Sequence, residues 1–337
     1  MRIVAYIPGH TGPSYHRITL PLNLLPEVDI CVTNNPAADY GFEKGCDLFL
    51  WNRVLPQSLF EALPELKEKY GFCTVCDLDD HWDIDEHHVD YQHYADTEFA
   101  RRQLEHIRAA DLVTVTHNRL ADAVQPHNSN VEVLPNAIPK MGQFDIARDK
   151  SDLVRLFWQG SVTHQADLEV LQQPLRNLGP LSGKFKMILA GYDEGAEEVW
   201  FKMARTYTAG FKSQYKIIDG TSVLEYYGAY KYADVCLVPL VRSKFNSYKS
   251  NLKVLEAGNL GLPVIASMVD PYLDLPIYYC SKGRDWIKHI ADLVQSGRRR
   301  DEAGKELAEF CQEHYNFFTI NQKRKEIFEY ESSKAGS

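Results

Sequence analysis

The sequence contains no apolar run approaching the roughly 18 residues that a membrane helix needs, so stable membrane insertion is not expected. Its opening stretch, Met1-Arg2-Ile3-Val4-Ala5-Tyr6-Ile7, is stopped at once by Pro8-Gly9 and reads as a short buried strand, not as a signal peptide. A disulfide framework is also missing: the seven cysteines are odd in number and irregular in spacing, which fits the reducing cytoplasm. Cys73 and Cys76 have CxxC spacing, but a strand would point them to opposite faces and no second pair exists, so zinc is not expected. Positive charge is in short supply, 37 Lys and Arg against 46 Asp and Glu for a net −9. That balance argues against broad phosphate neutralisation on nucleic acid, without excluding a local basic groove. There is no GxGxxG, no P-loop, no internal repeat and no low-complexity tract; residues 331–337 read as a frayed tail.

What is present is the composition of a folded α/β protein. At 337 residues, 45% hydrophobic and 25% charged, the chain is long enough for two cores. Short β-rich runs alternate with helix-length amphipathic segments, the pattern of parallel sheets covered by helices. In the first half the strands are expected at Ile3 to Ile7, Asp47 to Trp51, Phe72 to Asp77, Leu112 to Thr116 and Val131 to Leu134, with helices over Pro56 to Lys69 and Thr97 to Ala110. The stretch Ile138 to Ser151 breaks the rhythm and reads as a connection between domains. A second series follows, with strands at Val154 to Trp158, Phe185 to Ala190, Lys216 to Ile218, Val235 to Val238 and Val264 to Ala266. Its helices are expected at Gln165 to Leu178, Ser222 to Tyr232 and Asn251 to Leu260. Ligands of open parallel sheets bind beyond the carboxyl ends of the strands, so the loops there are where functional residues are sought.

Four such loops stand out. The polar loop after Val238 leads to Ser250 or Asn251 as a helix N-cap, which suits a diphosphate. Lys249, Lys253 and Glu256 follow at i, i+4 and i+7, so an early helix start would put them on one face, two cations for phosphate and a carboxylate for ribose hydroxyls; a solvated Lys253–Glu256 ion pair fits the same spacing. Gly160-Ser161-Val162-Thr163-His164 follows the first strand of the second half and also reads as an ordinary helix cap. Gly9 to Arg17 follows the first strand of the chain, where Gly12 and Arg17 could meet a phosphate or simply build structure. The acidic run Asp77-Leu78-Asp79-Asp80-His81-Trp82-Asp83 ends another strand, with Asp79, Asp80 and His81 as groups to orient a hydroxyl or move its proton. Closely spaced carboxylates also suit Mg²⁺, ranked second here.

The run Lys249–Ser267, KSNLKVLEAGNLGLPVIAS, resembles the donor-binding segment of retaining glycosyltransferases of the GT-B fold, the family-4-like or group 1 type. The resemblance continues in order along the chain, through Gly160 to Leu168, Ala110-Asp111-Leu112-Val113 and Val133-Leu134-Pro135-Asn136-Ala137. It implies two Rossmann-like domains facing a cleft, with a C-terminal helix crossing back to the first. The divisions would be an acceptor-binding domain over 1–150, a nucleotide-sugar domain over 151–313, and the terminal helix and tail over 314–337.

The resemblance also assigns roles. Glu256 matches the ribose-binding glutamate, while the amides of Ser250, Asn251 and Leu252 take the diphosphate, with Lys249 and Lys253 stabilising its charge. Gly12, Gly160 and Ser161 would let backbone approach the donor, and Gly220 would lie where the base is read. The Arg and Lys that the family carries after the glycine are absent, and His164 is the group offered in their place. The first glutamate of the family pair falls at Tyr248, a departure that leaves the usual contact to the donor sugar unassigned. The expected activity is transfer of a sugar from a nucleotide-sugar, UDP-sugar first, to an acceptor hydroxyl with retention, and without essential Mg²⁺. The acceptor stays open among saccharide, lipid-linked sugar, protein side chain and small metabolite, with a hydroxymethylated pyrimidine in DNA as an alternative that the acidic balance disfavours. A nucleotide-sugar 2-epimerase and a non-catalytic sugar-binding relative are the alternatives.

Overall fold

The computed structural model describes residues 1–35, 41–86, 88–208 and 214–335. They form two compact units, each an α/β layer structure around a six-stranded parallel sheet. The first unit comprises residues 1–137, 248–250 and 317–337; the second comprises 138–247 and 251–316. The break falls between Ala137 and Ile138, where the expected connection begins.

In the first unit the strands are β1 (Arg2–Tyr6), β2 (Asp29–Thr33), β3 (Leu48–Asn52), β4 (Cys73–Leu78), β5 (Leu112–Val115) and β6 (Val131–Val133), in the order β2-β1-β3-β4-β5-β6. β3 and β4 are buried throughout, as parallel strands covered on both faces must be. One face packs Ile3, Leu50 and Val75 against Phe328 of the helix Phe317–Ala335. The other packs Phe49, Trp51 and Phe72 with Ile107 and Leu120 from the intervening helices. The terminal helix is longer than expected: it includes Glu331, which is buried, so the supposed tail is ordered through Ala335.

In the second unit the strands are β7 (Val154–Gln159), β8 (Phe185–Tyr192), β9 (Gln214–Asp219), β10 (Val235–Val238), β11 (Val264–Ser267) and β12 (Tyr278–Cys280), in the order β12-β11-β10-β7-β8-β9. Trp158, Trp200 and Trp286 fill the core on one side of this sheet. The helix expected over Gln165 to Leu178 is two short ones, Gln165–Glu169 and Gln172–Arg176; Pro174, which has no N–H to donate, sits in the second. The segment expected to begin a helix at Ser222 coils as a 3₁₀ helix only over Tyr226–Tyr232, with Gly228 inside it.

Candidate functional site

In the second unit the carboxyl ends of three neighbouring strands close on one another through glycine. A Cβ at Gly191, where φ is +109°, would lie 2.3 Å from the Gly160 carbonyl oxygen, and a Cβ at Gly160 would lie 2.7 Å from the Trp158 ring. No side chain fits at either position, so backbone forms the floor there. Gly220, at the end of β9, approaches the Tyr192 carbonyl in the same way. Above this floor is a pocket of about 240 Å³ lined by Gly160, Ser161, Gly191, Gly220, Thr221 and Tyr226.

Tyr226 connects the pocket to Glu256. The Glu256 side chain, on the helix Leu252–Asn259, is 4% exposed. Its Oε1 accepts the Tyr226 hydroxyl in a short hydrogen bond, its Oε2 accepts the Tyr230 hydroxyl at 2.7 Å, and its backbone carbonyl accepts the Tyr227 hydroxyl at 2.8 Å. Burial pushes the Glu256 carboxyl above its ordinary value, and the two phenolic bonds and Lys253 offset only part of that. Burial and the Glu256 charge also hold the Tyr230 hydroxyl protonated.

His164 and Lys253 gather beside the same floor. His164 Nδ1 pairs with Asp167 Oδ2 at 2.8 Å, while Asp167 Oδ1 accepts the Val241 N–H at 2.8 Å, which ties the loop after β7 to the loop after β10. Burial raises the Asp167 carboxyl, but the His164 bond and the Val241 amide outweigh it and leave it below the ordinary value. Lys253 Nζ lies 5.9 Å above the Trp158 ring, within cation–π range. Asn251 is the N-cap residue of the Leu252–Asn259 helix, yet its side chain makes no cap bond; Nδ2 donates instead to the Tyr315 hydroxyl at 3.0 Å.

Lys249 lies outside that helix, which begins at Leu252, so it does not share a helical face with Lys253 and Glu256. Tyr248, Lys249 and Ser250 belong to the first unit. There Lys249 Nζ is 3.7 Å from Asp80 Oδ2, and the Tyr248 ring packs tilted against His81 at 4.4 Å between centroids.

The acidic run of the first unit is organised by two arginines with different duties. Asn52, Asp77 and Thr114 stand in register across β3, β4 and β5. The Asp77 carboxylate accepts from all three sides: Asn52 Nδ2 at 3.1 Å, the Thr114 hydroxyl at 2.7 Å, and a two-pronged Arg17 guanidinium at 3.0 and 2.7 Å. Arg17 also donates to the Leu134 carbonyl and to Asn136 Oδ1, and it is buried. Its guanidinium therefore builds structure, the plainer of the two roles open to it. Gly12 is exposed, and a Cβ there would meet no heavy atom within 4 Å.

Arg53 holds the next two carboxylates. It sits just past β3 in the left-handed region, φ +61°, which is uncommon for a residue with a side chain. Its guanidinium binds both oxygens of Asp79 and reaches Asp80 Oδ2. Burial acts to raise the Asp79 carboxyl, but the Arg53 charge and hydrogen bonds, helped by Asn52, bring it below the ordinary range. His81 is buried between Trp82 and Tyr248 and accepts the Asp83 N–H at Nδ1, which puts its proton on Nε2 when neutral. His117 caps the helix Asn118–Val124 through Nδ1 and donates from Nε2 to the Tyr248 carbonyl at 2.8 Å.

Sequence reasoning missed Arg53, Gly191, Tyr226 and Tyr230. Arg53 and Gly191 lie at strand ends, where a search of those loops could have found them; the tyrosines carried no motif.

No protein-family model matches the sequence, and no curated protein does. Solved structures do. Anabaena HepE, in complex with UDP and glucose, superposes with a TM-score of 0.71 at 11% identity, over 97% of this chain and 99% of that one. Sucrose-phosphate synthase from Thermosynechococcus elongatus gives 0.66 at 15% identity, over 89% of this chain and 77% of that one. An α-glucosyltransferase in complex with UDP and a 13-mer DNA containing an HMU base gives 0.66 at 12% identity, over 97% and 99%. The fold is GT-B. Among the described residues of this GT-B chain, no group of three or more His, Cys, Asp or Glu side chains is placed to hold a metal, and no helix is long and apolar enough to cross a membrane. Its seven cysteines, Cys73 and Cys76 among them, are free thiols.

Proposed function

We propose that this chain is a glycosyltransferase that takes a sugar from a UDP-sugar and passes it, with retention, to an acceptor hydroxyl. The observation that carries this reading is the glycine-floored pocket beyond β7, β8 and β9, with Glu256 linked to its wall through Tyr226. Backbone that no side chain shields suits close approach by a nucleotide, and a buried carboxylate beside it suits recognition of hydroxyls. Two of the superposed GT-B proteins hold UDP in structures of 97% coverage of this chain.

In this reading the donor is bound through Gly160, Ser161, Gly220, the Ser250–Leu252 amides, Lys253 and Glu256, with His164 and Asp167 fixing the loops. Asp79, Asp80, His81 and Lys249 of the first unit serve the reacting groups. In the reaction the bond from the anomeric carbon to the diphosphate oxygen breaks on the face where the acceptor oxygen bonds. The acceptor's proton passes to the departing diphosphate. A cation such as Lys253 would lower the cost of the charge developing there. Free thiols throughout are in keeping with the cytoplasm.

The test is thermal stabilisation by UDP-, GDP-, ADP-, CMP- and dTDP-sugars on the wild type and on Glu256→Ala, since a ligand bound only to the native state raises its melting temperature. A selective shift for one nucleotide-sugar that weakens in Glu256→Ala is expected; no shift with any donor would sink the reading. Product formation from donor alone would instead identify an epimerase. The DNA-containing neighbour makes a hydroxymethyluracil oligonucleotide the first acceptor to try, beside oligosaccharides and lipid-linked sugars. NMR of the product's anomeric proton would decide retention.

A further inference from the structure

Tyr226 stands where the pocket and Glu256 meet. Its side chain lines the glycine-floored space, and its hydroxyl donates to Glu256 Oε1. The opposite carboxylate oxygen is held by Tyr230, which is itself buried. Glu256 is thus gripped on both oxygens and enclosed, while Tyr226 is half-buried on the pocket wall. A phenol whose proton is committed to a carboxylate has only lone pairs left to offer, so it acts as an acceptor. The charge behind it polarises the oxygen and strengthens that acceptor. The ligand group it fits is a hydroxyl.

Resting on the nucleotide-sugar reading, we propose that Tyr226 determines specificity for the donor's ribose: its phenolic oxygen accepts a hydrogen bond from a ribose hydroxyl, and Glu256 acts through it as a positioning residue. This differs from the direct Glu256–ribose contact that the sequence resemblance implies. It accounts for a carboxylate with both oxygens already occupied by phenols.

The experiment measures binding of UDP, 2′-deoxy-UDP and 3′-deoxy-UDP by calorimetry to the wild type, Tyr226→Phe and Glu256→Gln, with melting temperatures as a check of folding. The wild type is expected to bind UDP about tenfold more tightly than one of the deoxy forms, the order of one hydrogen bond. In Tyr226→Phe, UDP affinity falls to that of the disfavoured deoxy form, whose own affinity is unchanged. Glu256→Gln, whose amide oxygen still accepts the Tyr226 hydroxyl, retains part of the discrimination. Tighter UDP binding or undiminished discrimination in Tyr226→Phe overturns the inference and returns the contact to Glu256. Failure of the wild type to bind any of the three overturns it at its premise, the nucleotide-sugar reading itself.

Discussion

Arg53 grips both oxygens of Asp79, Nε to Oδ1 at 2.7 Å and Nη2 to Oδ2 at 2.8 Å, and the same Nη2 reaches Asp80 Oδ2 at 2.6 Å. One planar cation therefore steadies two adjacent carboxylates, a geometry that lysine cannot reproduce. Arg53→Ala is expected to cost about 1–3 kcal/mol in urea unfolding at neutral pH, less than a fully buried pair because the partners retain some contact with water. Arg53→Lys should recover only part of it. Because Arg53 holds the Asp79 carboxyl below its ordinary value, the stabilisation is present above the carboxylate range and is lost as pH falls through it. The gap between wild type and Arg53→Ala should narrow accordingly on acidification.

Gly191→Ala and Gly12→Ala make a matched pair. The first puts a methyl 2.3 Å from a carbonyl oxygen at a φ of +109°, and the second puts one in open space. Gly191→Ala should lose on the order of 2 kcal/mol and most nucleotide-dependent thermal shift. Gly12→Ala should leave the melting temperature within a degree or so, as surface changes usually do. Equal behaviour of the two would remove the backbone floor as an explanation of the pocket.

His106 should make the protein acid-sensitive. Its Nε2 accepts the Leu55 N–H at 3.0 Å, so its proton sits on Nδ1 and is donated to the Arg102 carbonyl at 2.7 Å. Burial draws it from its ordinary 6.5 down to about 4. Between those values the unfolded chain binds the proton and the native one does not, so stability falls as pH drops through the window, by on the order of 3 kcal/mol. His16, lowered to about 3 by burial and the Arg17 charge, adds to the same slope. Urea midpoints between pH 7.5 and 4.5 should fall less steeply in His106→Gln.

Phe328→Ala should cost about 3–5 kcal/mol, because the ring is buried among Ile3, Leu50 and Val75. Hydrogen exchange should accelerate in β1, β3 and β4 and leave β7 and β8 unchanged. Uniform acceleration in both sheets would contradict the assignment of this helix to the first unit.

Much of the architecture could be read from the sequence because parallel strands buried on both faces leave unbroken apolar runs such as Leu48-Phe49-Leu50-Trp51. The two strands that escaped, β2 and β12, lie at sheet edges and are only partly buried, which blurs that signal. Glu256 was found through its surrounding segment, but its tyrosine partners were not, since they come from a 3₁₀ stretch about thirty residues earlier whose spacing has no apolar period. Arg17 and Arg53 are indistinguishable as letters. One is buried against Asp77 and the other grips Asp79 and Asp80, and only the pairing of strands decides which.

Ile3 and Phe328 lie in one hydrophobic cluster, 325 positions apart in the chain. At about 5–20 residues per second a ribosome delivers the second some 16–65 s after the first. Throughout that interval the face that Phe328 covers has only Ile18, Leu22 and Leu25 of the early segment over it, so the first half must be sheltered or held loosely until the helix of Phe328 emerges. A ribosome stalled before residue 317 would display an unfinished protein to the cell's chaperones, even with every strand already made.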